Sequence, residues 1–109
     1  MPIIVKLNSN WSNTLEIAQQ CIDAKVDGMT CMDSMGPTLR LDLATGAPRI
    51  GGNGGYGWIT GAPMLPFSLQ IVRTVARMTD KDIIGLGGIT KAADALEMLL
   101  AGASCCGVC

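Results

Sequence analysis

The sequence predicts an α/β fold of parallel βα units, on three observations. Short runs rich in Ile, Val and Met alternate with longer stretches whose apolar residues recur at helical spacing. The short runs are almost continuously apolar, as strands covered on both faces are. Glycines cluster beside them, at Gly51-Gly52-Asn53-Gly54-Gly55-Tyr56-Gly57 and at Gly85-Leu86-Gly87-Gly88. The order strand, helix, strand, loop, helix, strand, helix, strand gives parallel pairs joined by right-handed crossovers. That count is half of a TIM (β/α)8 barrel, whose full length is typically about 250 residues. A small open α/β sheet is the alternative.

Residues 2–7 form the first expected strand, bounded by Asn8-Ser9-Asn10. Asn13 and Glu16 have the spacing of a capping pair, and the helix they open runs to about Ala24. Leu15, Ala18, Cys21 and Ile22 are its expected inward face. Asp27-Gly28 turns the chain into a second strand, residues 29–32. Residues 36 to about 50 are irregular, with room for a small hairpin over one end of the sheet. Pro66 suits a first helical position, and Leu69, Val72, Val75 and Ala76 then repeat at helical spacing up to Met78. Asp82–Leu86 is the third strand. Thr90 is placed to cap a helix whose apolar positions are Ala92, Leu96, Leu99 and Leu100, and Gly102 ends it. Residues 104–109 make a fourth strand.

Composition narrows the function classes. The chain has 109 residues, about one small domain, and 49% of them are apolar. A net charge of −1 implies no nucleic-acid surface and no anionic membrane surface. No window approaches the roughly 20 apolar residues of a bilayer span, and Met1-Pro2 leads directly into Ile3-Ile4-Val5 without a secretory pattern. Five cysteines, an odd number crowded toward one end, are not a disulfide framework and fit a reducing cytoplasm. There is no histidine, so imidazole serves neither as base nor as metal ligand. Cys106-Gly107-Val108-Cys109 does not read as a metal site, because residues three apart on a strand point to opposite faces. No metal is expected.

In a βα barrel the ligand lies at the carboxyl ends of the strands. Those ends are Lys6, residues 30–34, the loop 51–61 and residues 85–88. A strand that ends in glycines before a helix is a phosphate cradle, since bare N–H groups and the helix dipole both face the anion. Gly87-Gly88 is a poor match for a dinucleotide fingerprint: the third glycine is missing, and no acid follows a strand about 20 residues on. Lys6 reads either as a rim lysine in solvent or as a cation fixed against a ligand. Asp33-Ser34 read either as turn residues before Gly36-Pro37 or as ligand contacts. Tyr56 and Trp58 read as loop packing or as part of a lid.

Taken in order, Val5-Lys6-Leu7, Asn10, Asp27-Gly28, Asp33-Ser34, Gly54-Gly55 and Thr60-Gly61 resemble the flavin barrel of dihydroorotate dehydrogenases and the related dihydropyrimidine dehydrogenases. Pro66, Gly85-Leu86-Gly87-Gly88-Ile89, Asp94-Ala95 and Leu100-Ala101-Gly102-Ala103 continue the likeness. It covers nearly all of this chain, and only the carboxyl-side half of that family's barrel. The resemblance implies bound FMN and interconversion of a dihydropyrimidine such as dihydroorotate with its 5,6-unsaturated form, orotate. Lys6 would contact the isoalloxazine, where a cation offsets the charge that develops on reduction. Gly61, Gly87 and Gly88 would hold the phosphate, Thr30 and Met32 would lie near the flavin, and Asp33 and Ser34 would face the pyrimidine.

Three departures from the family pattern stand out. Asp33 replaces the usual asparagine. Tyr56-Gly57-Trp58-Ile59 lengthens the glycine loop. Cys109 is the last residue, and the family's phosphate site continues into a Ser or Thr just beyond it. The family's cysteine or serine base is expected upstream of Met1, so no catalytic residue is assigned in this chain, which reads as a fragment. Half a barrel leaves strand edges open, so the missing half or self-association is expected to cover them. Two other readings remain: a different FMN- or phosphate-binding barrel acting on another cyclic amide, and a half-barrel that binds no flavin.

Overall fold

The structure is a computed structural model, and it describes all residues except Ser9, Trp11 and Cys109, with the side chain of Asn53 also left aside. The elements run β1 (Ile4–Lys6), α1 (Thr14–Asp23), β2 (Gly28–Cys31), β3 (Met35–Leu39), β4 (Tyr56–Ile59), α2 (Leu65–Ala76), β5 (Asp82–Leu86), α3 (Ala92–Ala101) and β6 (Cys105–Gly107). Four of the strands form one parallel sheet in the order β1-β2-β5-β6. Lys6, Thr30, Ile84 and Cys105 share one register row across it.

One face of the sheet carries the core. Met29, Cys31 and Ile83 are buried there, against Ala18 of α1, Val72 and Val75 of α2, and Met98 of α3. Period-two alternation sends Ile4, Lys6, Thr30, Ile84 and Leu86 to the other face, where they are exposed or half-buried. The sequence predicted strands covered on both faces. Among the described residues only one face is packed by helices.

β1 is shorter than expected at both ends, whereas β2 is shifted one residue toward the amino terminus. Asp27 explains the late start of β1: its Oδ2 accepts the Ile3 N–H at 2.6 Å, while the Asp27 N–H donates to the Ile3 carbonyl. A side chain thus takes the backbone group that a longer β1 would have used. β5 has the predicted bounds. Of the expected fourth strand, Cys105–Gly107 is observed and Cys109 lies outside the described residues.

Two helices are rotated from their predicted faces. In α1, Asn13 is the N-cap without a side-chain capping bond. The inward row is Thr14, Ile17, Ala18, Cys21 and Ile22, and Leu15 is exposed. Thr14 is drawn in because its hydroxyl donates to the Asn8 carbonyl at 2.6 Å. In α3, Met98 and Asp94 are buried, whereas Leu96, Leu99 and Leu100 are exposed. The expected cap is also reversed. Lys91 is the N-cap, and Thr90 donates both its N–H and its hydroxyl to Asp94 Oδ2 at 2.9 Å. Gly102, at φ +116°, ends α3 in the left-handed conformation as predicted.

The irregular stretch is a longer hairpin than expected. β3 and β4 pair antiparallel with a bulge between Met35 and Thr38. Asp42 Oδ1 organises the far turn by accepting from the N–H groups of Ala44 and Thr45 at 3.0 Å. The first glycine cluster belongs to this ribbon. Gly36 lies so close beneath the Trp58 indole that a Cβ there would stand 2.7 Å from Trp58 Cδ1. Tyr56 and Trp58 are therefore strand residues, with the indole packed across the ribbon, half exposed. The Cys31–Met32 and Gly36–Pro37 peptides are cis. Among the described residues, no helix is long and apolar enough to cross a membrane.

Candidate active site

A cleft of about 550 Å³ opens at the carboxyl ends of the parallel strands, within the range of small-ligand sites. Lys6 enters it from the end of β1, and Met32, Asp33 and Ser34 from the segment after β2. Gly61 precedes α2, and Gly87 and Gly88 follow β5. Every sequence-predicted site residue except Thr30 lines this one cleft. Thr30 sits between Lys6 and Ile84 in the register row, half-buried and outside the lining set. The glycines 51–57, expected on the same rim, are not in the lining set either, because they build the hairpin.

The three cleft glycines are fixed for different reasons. All have φ in the left-handed region, +75° at Gly61, +101° at Gly87 and +88° at Gly88. A Cβ on Gly88 would collide with the backbone of Leu65 in the first turn of α2. A Cβ on Gly87 would stand 2.5 Å from Ser68 Oγ. Nothing lies within 4 Å of a Cβ at Gly61, so conformation alone requires glycine there. The β5–α3 turn is thus seated directly on the start of α2.

Lys6 Nζ lies 3.3 Å from Asp33 Oδ1. The same oxygen accepts from the Ser34 N–H at 2.8 Å. That backbone hydrogen bond first, and then the Lys6 ammonium, hold the Asp33 carboxyl below the usual carboxylate range, so it is ionised at neutral pH. Asn10 keeps the segment in place: its side-chain amide donates to the Ser34 carbonyl at 3.0 Å and accepts the Gly36 N–H at 2.9 Å. Burial pushes the Cys31 thiol up to about 12, which leaves it protonated and unreactive. Among the described residues, no group of three His, Cys, Asp or Glu side chains is placed to hold a metal ion.

Sequence reasoning missed much of the apolar lining, including Met64, Ile89 and Val108. Each adjoins a strand end or a predicted glycine turn, which was the available signal. An apolar residue there reads equally well as core. The resulting cleft has a cation and a carboxylate at one side, a glycine turn at another, and apolar walls between them. It suits a flat ring with an anionic tail.

A protein-family model described as dihydroorotate dehydrogenase matches residues 1–109. The chain belongs to the dihydroorotate dehydrogenase family. It is 37% identical over 108 residues to the dihydroorotate dehydrogenase B (NAD(+)) catalytic subunit of Cutibacterium acnes, covering 99% of this chain and 34% of that protein. The Bacillus pumilus protein of the same name is 39% identical over 104 residues, covering 95% of this chain and 33% of its own length. The Methanopyrus kandleri protein of that name is 38% identical over 106 residues, covering 94% and 33%. The chain therefore spans about a third of the length of these curated relatives.

Proposed function

We propose that residues 1–109 are the FMN-binding, carboxyl-side part of a (β/α)8-barrel oxidoreductase. It interconverts a dihydropyrimidine with its 5,6-unsaturated form, dihydroorotate being the ring in its relatives' names. The observation that most supports this is the meeting of Lys6 and the Gly87-Gly88 turn on one cleft.

The residues present fit FMN. The Gly87-Gly88 turn is a cradle that side chains would fill, and its backbone is suited to an anion. Met32, Met64 and Leu86 offer apolar walls to a flat ring. FMN, when bound, supplies the acceptor for the hydride that leaves the ring carbon. Lys6 places a positive charge beside the ring that gains it. Asp33 and Ser34 present polar atoms to the pyrimidine and fix its orientation. The base that takes the neighbouring proton is proposed to lie outside these residues. The open edges of β1 and β6 are proposed to be covered by the rest of the barrel or, in isolation, by self-association.

The test is anaerobic reduction of the full-length protein that carries this chain. Flavin released on denaturation is expected to be FMN, and a dihydropyrimidine is expected to bleach the bound flavin's visible absorbance. A protein that retains no flavin, or whose flavin no dihydropyrimidine reduces, overturns the proposal.

A further inference from the structure

Among the described side chains lining the cleft, Lys6 and Asp33 carry the only formal charges, and they lie 3.3 Å apart. Asp33 Oδ1 also accepts from the Ser34 N–H at 2.8 Å and from its hydroxyl at 3.4 Å. The carboxylate is thus held in a fixed position at the cleft wall, its side chain 38% exposed. An ionised carboxylate offers acceptors only. A ring edge brought against it must therefore supply N–H donors.

Charge adds a second constraint. A ligand carboxylate entering beside Asp33 meets a like charge. Among the described lining residues, the lysine beside it is already paired with Asp33. Like charges brought together in a desolvated site are strongly disfavoured, and an ion that gives up hydration needs a partner in exchange.

The geometry points to Asp33 as the specificity-determining residue of this site. It selects an uncharged cyclic amide that presents N–H donors, and it rejects the same ring bearing a carboxylate. This rests on the flavin-enzyme reading above and narrows the ring which that enzyme takes. The segment that carries Asp33 is braced by the Asn10 side chain through Ser34 and Gly36, so the carboxylate has little freedom to turn away from a poor ligand.

The test uses two rings that differ only in a carboxylate, uracil and orotate. The FMN-loaded full-length protein is titrated with each, and calorimetry and the flavin absorbance change both report binding. Uracil is expected to bind about tenfold tighter than orotate, or more. Asp33→Asn, which keeps the shape and removes the charge, is expected to shift that ratio toward orotate by about tenfold. Tighter binding of orotate by the wild-type protein overturns the inference, as does binding of neither ring. A ratio that Asp33→Asn does not move overturns it as well. The wild-type ratio stands on its own if the variant folds poorly. Quenching of FMN fluorescence reports separately whether the cofactor is held: its failure strikes the flavin reading, whereas a flavin-loaded protein with the wrong ring preference strikes this inference alone.

Discussion

The ammonium of Lys6 and the carboxylate of Asp33 form an ion pair, Nζ to Oδ1 at 3.3 Å, across the ends of two neighbouring strands. β1 delivers the cation, and the segment after β2 delivers the anion. Both side chains are substantially exposed, at 54% and 38%, so the pair itself adds little to stability. Its consequence lies in the cleft, where it presents an ammonium and a carboxylate side by side to a ligand.

Lys6→Ala leaves Asp33 without this cation and removes positive charge from beside the proposed flavin ring. The reduction potential of bound FMN is expected to fall by about 30 mV or more, which for a two-electron couple is one factor of ten. Spectroelectrochemical titration of wild type and variant reads it. An unchanged potential means that Lys6 does not touch the flavin.

Ser68 gives a prediction opposite to the usual one for a buried residue. Its Oγ is fully buried and has no hydrogen-bond partner among the described residues. Burying a hydroxyl without a partner costs about 1–3 kcal/mol. Ser68→Ala is therefore expected to leave stability unchanged or to raise it by about 1 kcal/mol, read from the midpoint of urea unfolding. A loss above that size means the hydroxyl is bonded in solution.

Asp94 ties stability to pH. The Thr90 N–H, then the Thr90 hydroxyl and the Lys91 N–H, hold its carboxyl below the usual range. A carboxyl with a lowered folded pKa stabilises the protein above its unfolded value of about 3.9, and that contribution is lost as pH falls through the folded value. The drop in melting temperature between pH 7 and pH 3 is expected to be smaller in Asp94→Asn than in wild type. An equal drop in both assigns the acid sensitivity elsewhere.

Residues 1–109 expressed alone leave the outer edges of β1 and β6 unpaired in the described sheet. Ile4, Leu100 and Val108 are 55%, 79% and 69% exposed. Self-association is expected, because open edges template further pairing. Sedimentation velocity decides it. A monodisperse monomer with a cooperative melt contradicts the expectation.

The parallel sheet and the cleft glycines were legible in the sequence because local chemistry determines them. Asp82–Leu86 is apolar enough to define a buried strand, and Gly87-Gly88 marks a backbone that no other residue allows. The outward turn of Leu96, Leu99 and Leu100 was not legible. Hydrophobic spacing points those residues inward, but the position of α3 is set by Asp94 accepting hydrogen bonds at its start and by Met98 in the core. Neither constraint has a periodic signature. The glycines before Tyr56 misled for a related reason. A phosphate loop and a tight hairpin ask the same freedom of the backbone, and only the pairing of β3 with β4 distinguishes them.

Lys6 and the Gly87-Gly88 turn are proposed to grip opposite ends of one FMN. The ratio of riboflavin to FMN dissociation constants, measured on the full-length protein, tests it most directly because the two ligands differ only in the phosphate. FMN is expected to bind tighter by about a hundredfold, the worth of two charge-assisted hydrogen bonds. Gly88→Ala should bring the ratio close to one, and Lys6→Ala should leave it intact. A wild-type ratio near one, or a ratio that Gly88→Ala does not change, contradicts the claim.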